Sequence, residues 1–124
     1  MTARFLVVDD DEKSQRLACD VLEHAGYATT RASSGEEALS LARAMPHDLV
    51  LLDIQLPGAS GVQTFAALRA LPGWAHVPVI AMTASVMPDE RSSLIRGGFD
   101  GFVAKPLRIK ELVRLVAEVL AHPP

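Results

Sequence analysis

A chain of 124 residues, 49% hydrophobic and 22% charged, has the size and composition of one ordinary folded domain, able to bury a core without disulfides or a structural metal. Its net charge of -3 argues against a nucleic-acid binder, its single cysteine excludes an internal disulfide or a cysteine-based zinc site, and no apolar run approaches the roughly 20 residues that span a bilayer. Carboxylates stop the first apolar run, residues 5–8, at once, so nothing resembles a secretory leader and the cytoplasm is the expected compartment, with no membrane contact.

Short apolar runs alternate with longer segments of helical period, the order expected of a parallel sheet with helical crossovers, and five such pairs fit. The first strand spans residues 5–8. Its helix carries Leu17, Ala18, Val21, Leu22 and Ala25 on one face and stops at Gly26, with Cys19 read as a small buried hydrophobe. Residues 27–32 form the second strand. Ser34 and Glu37 make an S-x-x-E capping box for a helix to about residue 44, and Pro46 follows. The third strand, DLVLLD at 48–53, is apolar on consecutive positions, as a central strand covered on both faces should be.

Pro57, Gly58 and Gly61 then forbid regular structure, and Ser60 offers an N-cap to a helix through residue 71. After a loop with Trp74 and His76, the fourth strand is VPVIAM at 77–82, where Pro78 is tolerable near a strand start. Pro88, Asp89 and Glu90 suit the first turn of a helix that Gly97 and Gly98 end. A short fifth strand at 101–104 precedes a last helix from about residue 109, which buries Leu112, Val113, Val116, Val119 and Leu120. The tail, with His122, is simply an end, and the four histidines have no mutual spacing that suggests metal ligands.

In an open parallel sheet the carboxyl ends of the strands share one edge, and ligands bind there. Strand one ends in Asp9 and Asp10, strand three in Asp53, strand four in Thr83 and strand five in Lys105. Three carboxylates, a hydroxyl and an ammonium therefore meet in one cleft. Like charges about 4 Å apart repel by roughly 4 kcal/mol at an effective dielectric near 20, so the cluster calls for a cation. An open carboxylate site that keeps waters suits Mg²⁺ better than Ca²⁺. Asp11 and Glu12 read instead as the acidic start of the first helix. An ionised aspartate can attack a phosphoryl donor to form an acyl phosphate, a step that needs positive charge on the transferring oxygens.

The pieces VVDDD, LLDIQLPGASG, VIAMTAS and FVAKP, each at the end of its own predicted strand, together resemble the receiver domain of two-component response regulators of the CheY-like kind, over residues 4 to about 120. The resemblance implies a flavodoxin-like (βα)5 α/β fold, a doubly wound three-layer sandwich with sheet order 2-1-3-4-5, as a single stand-alone receiver over residues 1–124. It implies Asp53 as phosphoacceptor, Asp10 as a direct Mg²⁺ ligand, Asp9 as a ligand mainly through water, and the main-chain carbonyl of Gln55 completing the set. Thr83 takes the role of switch hydroxyl, and Lys105 that of the phosphoryl-binding lysine. The Lys105-Pro106 bond is one usually cis in the family. A sensor histidine kinase or histidine phosphotransferase is the implied donor, and a protein such as another kinase the implied downstream partner, with a monomer or weak phosphorylation-dependent dimer.

Phe102 holds the aromatic switch position, often tyrosine in the family. Gln55 and Ser85, two residues beyond the acceptor and the switch threonine, occupy positions that resemble those tuning phosphoryl lifetime in the family. On phosphorylation Thr83 is expected to move toward the new oxygens and Phe102 to take the space it leaves, altering the face of helix four, strand five and helix five around Arg91, Arg96, Phe102 and Arg114. Three other classes stay open. A metal-dependent aspartyl phosphatase wants D-x-D, and Gln55 occupies the second place. A flavodoxin-type cofactor carrier wants a phosphate-binding loop after strand one, where carboxylates stand instead. A phosphorylation-independent adaptor on the same scaffold is the third.

Overall fold

The computed structural model describes residues 2–56, 58, 60–84 and 87–121. Five strands, β1 (Arg4–Val8), β2 (Ala28–Ala32), β3 (Leu49–Asp53), β4 (Val79–Thr83) and β5 (Gly101–Ala104), alternate with five helices, α1 (Glu12–His24), α2 (Gly35–Ala44), α3 (Gly61–Arg69), α4 (Pro88–Arg96) and α5 (Ile109–Ala121). All pairings are parallel, in the order β2-β1-β3-β4-β5. β3 is the middle strand and is buried along its whole length, which is why its sequence does not alternate.

β1, β3 and β4 divide their side chains between two cores. Phe5, Val7, Leu49, Leu51, Ile80 and Met82 meet α1 and α5, while Leu6, Val8, Val50, Leu52, Val79 and Ala81 meet residues of α2 and α3. Cys19 is wholly buried in the first core. Phe65 and Phe99 stack in the second with ring centroids 4.1 Å apart, and Trp74 is buried there too, so these aromatics pack rather than form a ligand platform.

Helix starts follow local chemistry. The Asp11 side chain caps α1 by accepting the Lys13 N–H at 3.1 Å. Ser34 caps α2 through the Glu37 N–H at 3.2 Å, but the Glu37 carboxylate reaches the Ser33 N–H rather than that of Ser34, so the expected reciprocal box is displaced by one residue. The full box belongs to α3: Gln63 N–H donates to Ser60 Oγ at 3.2 Å, and Ser60 N–H to Gln63 Oε1 at 2.9 Å. The S-x-x-Q pattern carried that signal.

The first three strands each start one residue away from the sequence reading, and two boundaries differ from it by two residues. α3 ends at Arg69 rather than near residue 71, because the Arg69 guanidinium turns to the carbonyls of Trp74 and Val77 and to Asp100. β4 begins at Val79 rather than residue 77, where Asp100 takes the Val79 N–H at 2.8 Å and returns its own N–H to the Val79 carbonyl at 2.9 Å. The expectations for Pro57, Ser85 and His122 lie outside the described residues.

At the opposite edge from the strand ends, buried His47 sits with Nδ1 3.1 Å from the Met45 carbonyl and Nε2 3.2 Å from Thr30 Oγ1, partners that suit a neutral ring donating from Nδ1. Burial lowers its pKa from 6.5 and Arg4 adds to the fall, against the Met45 hydrogen bond and Asp48. The unfolded chain therefore binds this proton more readily, so the contribution is intact above about pH 6.5 and is lost as the pH falls through the lower folded value. Urea midpoints taken between about pH 7.5 and 5.5 should drop more for the native chain than for His47→Gln. Equal slopes would show that His47 carries no such linkage.

Candidate functional site

β1 and β3 are neighbours in the sheet, so Asp9, just after β1, and Asp53, the last residue of β3, emerge side by side. Each carboxylate is held in the same way. Asp9 Oδ1 accepts the Asp11 N–H at 2.9 Å and Asp53 Oδ1 accepts the Gln55 N–H at 2.9 Å, a local turn that aims the second oxygen inward. Lys105, one residue beyond β5, brings its ammonium to both inward oxygens, 2.8 Å from Asp53 Oδ2 and 3.0 Å from Asp9 Oδ2. The Lys105 N–H donates to the Thr83 carbonyl at 2.9 Å, which ties the lysine to the end of β4, and the Lys105-Pro106 bond is cis.

Burial separates two adjacent acids. Asp9 and Asp53 are buried, while Asp10 is exposed at the mouth. Burial raises the pKa of Asp9, and the charge of Asp53 adds to the rise, against the Asp11 N–H and Lys105. For Lys105, burial pulls the ammonium's pKa down, but the hydrogen bonds and charges of Asp53 and Asp9 outweigh it and leave the value raised. One ammonium shared between two buried carboxylates leaves net negative charge, and exposed Asp10 adds to it.

Carboxylate oxygens of Asp9, Asp10 and Asp53 lie within 4.8 Å of one another, the one such group of three among the described residues. Asp9 Oδ2 is buried and has the Lys105 ammonium 3.0 Å away as its ion-pair partner. Three clustered carboxylates against that single ammonium are a hard, anionic oxygen donor set, which fits a divalent cation. These residues could therefore hold a metal. Thr83 is half-buried at the end of β4, and Phe102 is half-buried as the second residue of β5 on the adjoining strand.

Two supporting residues escaped the sequence reading. Gln15 is buried in the first turns of α1, and its Nε2 donates to the carbonyls of Asp9 at 3.2 Å and Ala32 at 2.8 Å, joining the end of β1 to that of β2. No pattern announces it, because an amide in a helix ordinarily reads as surface. Gly61 was read only as a loop former. Its N–H donates to the Ile54 carbonyl at 2.9 Å, and a Cβ there would lie 2.3 Å from the Asp53 carbonyl oxygen. The first turn of α3 is pressed directly against the backbone that carries Asp53.

The response regulator receiver domain family matches residues 5–117 of the chain. The chain is 37% identical over 120 residues to the polar-differentiation response regulator DivK of Brucella ovis, covering 97% of this chain and 98% of that protein. A response regulator from Chloroflexus aurantiacus superposes with a TM-score of 0.92 at 32% identity, covering 98% of this chain and 100% of the other. The receiver domain of a sensor histidine kinase from Pseudomonas aeruginosa, solved with a magnesium ion coordinated in its active site cleft, superposes at 0.88 with 27% identity, covering 98% and 100%. With the strand order, the acid cluster at the strand ends and these likenesses agreeing, the chain belongs to the response regulator receiver family, the phosphorylation-dependent switches of two-component signalling.

Proposed function

We propose that Asp53 is the phosphoacceptor of this switch, taking its phosphoryl group from the phosphohistidine of a sensor kinase or a histidine phosphotransferase. The observation that carries the reading is the single ammonium of Lys105 shared between Asp53 and Asp9 with Asp10 alongside. In the transfer the P–N bond of phosphohistidine breaks as a P–O bond forms to an Asp53 oxygen, and the imidazole leaves. The Gln55 N–H holds the Asp53 carboxylate in orientation, and Lys105 pairs with charge on the phosphoryl oxygens. Asp10, Asp53, the Gln55 carbonyl and, through water, Asp9 would hold Mg²⁺, which when bound supplies the remaining positive charge.

The chain acts on no other substrate: it promotes only its own phosphorylation and dephosphorylation. Residues 4–120 form one receiver domain, working in the cytoplasm as a monomer or weak phosphorylation-dependent dimer. No described helix is long and apolar enough to cross a membrane. The phosphoryl adds close to two negative charges and three acceptor oxygens, drawing Thr83 inward and letting Phe102 follow. The altered face of α4, β5 and α5 then binds a protein partner, such as another kinase.

Incubation with acetyl phosphate and Mg²⁺, followed by intact mass, should add one phosphoryl group to the native chain and none to Asp53→Asn. Addition to both, or to neither, would sink the assignment.

A further inference from the structure

We propose that Arg91 is a clamp that holds Phe102 in its unphosphorylated position, so that a cation–π contact sets how readily the α4/β5/α5 face responds. The inference rests on the reading of Asp53 and the switch given above, and deepens it.

α4 is attached unlike the other helices. It contributes no buried side chain, whereas α1, α2, α3 and α5 each bury several. Leu94 is half-buried against the second core, and the Leu94 carbonyl accepts the Phe99 N–H at 3.1 Å where the chain leaves the helix. Three residues before Leu94, the guanidinium carbon of Arg91 lies 5.1 Å from the centre of the Phe102 ring. That distance is within the range of an attractive cation–π contact.

Phe102 sits on β5, an edge strand, half-buried and flanked by two open grooves. A groove of about 340 Å³ has Thr83, Phe102 and Arg114 in its wall, and another of about 610 Å³ has Phe102, Ile95 and Arg96; Arg91 lines both. The ring is thus the partition between them, with Arg91 against it. Toward the site the neighbours are small. Ala81 is the register partner of Phe102, and Ala104 follows Phe102 on the same face beside Thr83. In this proposal a ring drawn in that direction passes the small side chains of Ala81 and Ala104 and gives up its contact with the guanidinium.

The clamp opposes the switch by the strength of one such contact. At a half-exposed position this amounts to about a two- to five-fold change in an equilibrium constant. Removing Arg91 therefore raises the share of the inward conformation before any phosphoryl arrives and lowers the concentration of activator needed.

The chain has four phenylalanines, so fluorophenylalanine labelling produces four ¹⁹F lines, and Phe102→Leu identifies the relevant one. Beryllofluoride with Mg²⁺ should move the Phe102 line in the native chain. In Arg91→Gln the line should already be displaced toward that position without the adduct, and the beryllofluoride midpoint should fall about two- to five-fold. Arg91→Lys, which keeps a cation but not its planar face, should be displaced less. If the native line moves with beryllofluoride but Arg91→Gln matches the native chain in both line position and midpoint, the clamp is wrong and the switch stands. If the native line does not move, the Phe102 switch itself fails, and the clamp with it.

Discussion

Asp10→Ala is expected to slow magnesium-dependent phosphorylation of Asp53 by about 100-fold or more, while Glu12→Ala leaves the rate within about two-fold. The two acids are only two positions apart and both are exposed, so exposure does not separate them. Placement does. Asp10 brings an oxygen within 4.8 Å of those of Asp9 and Asp53, whereas Glu12 is the first residue of α1, after the Asp11 cap. Losing Glu12 removes a favourable charge at the positive end of a helix, worth about 0.3–1 kcal/mol of stability and nothing in the transfer. Losing Asp10 relieves repulsion among the three clustered carboxylates and so does not destabilise the fold, but it takes away one of the three carboxylates facing the cation. An intact-mass time course with acetyl phosphate, run across a Mg²⁺ titration, reads the rate, and calorimetric Mg²⁺ binding reads the site. Native rates and Mg²⁺ dependence in Asp10→Ala would remove it from the metal site.

Gly61→Ala should cost about 3 kcal/mol or more in stability, the upper range for overpacking, and should impair phosphorylation in whatever still folds. The added methyl would sit 2.3 Å from the Asp53 carbonyl oxygen, 2.5 Å from the Ile54 Cα and 3.0 Å from the Asp53 carbonyl carbon. All three are backbone atoms, so no rotamer change relieves the clash; α3 or the end of β3 has to move. The Gly61 N–H to Ile54 carbonyl bond would be pulled apart with it. Gly58→Ala is the instructive contrast. Its φ of +76° is left-handed, but a Cβ there meets no atom within 4 Å, so the cost is the conformational one of about 1–2 kcal/mol. Urea unfolding of the two variants distinguishes close approach from backbone strain. A Gly61→Ala protein as stable as Gly58→Ala would mean that α3 does not bear on the acceptor strand.

These effects show where reading the chain succeeded and where it stopped. Hydrophobic periodicity and punctuation located all five strand–helix pairs, and the consecutive apolar positions of residues 49–52 identified the middle strand. Its errors at the end of α3 and the start of β4 share one cause. Asp100 satisfies the Val79 N–H and pairs with Arg69, so both boundaries depend on a residue more than 20 positions downstream. Local propensity does not contain that contact.

For the site, the residues alone determined which chemical groups share an edge. A parallel sheet sends every strand's carboxyl end to one side, so Asp9, Asp10, Asp53, Thr83 and Lys105 had to gather once the strands were recognised. Only the folded arrangement distinguishes buried Asp9 from exposed Asp10, joins Lys105 to two particular oxygens, brings Gln15 under the Asp9 carbonyl, and presses Gly61 against Asp53. The reason is physical. Periodicity specifies the face on which a side chain emerges, but distances between groups 52 residues apart, as for Lys105 and Asp53, are set by how the layers pack.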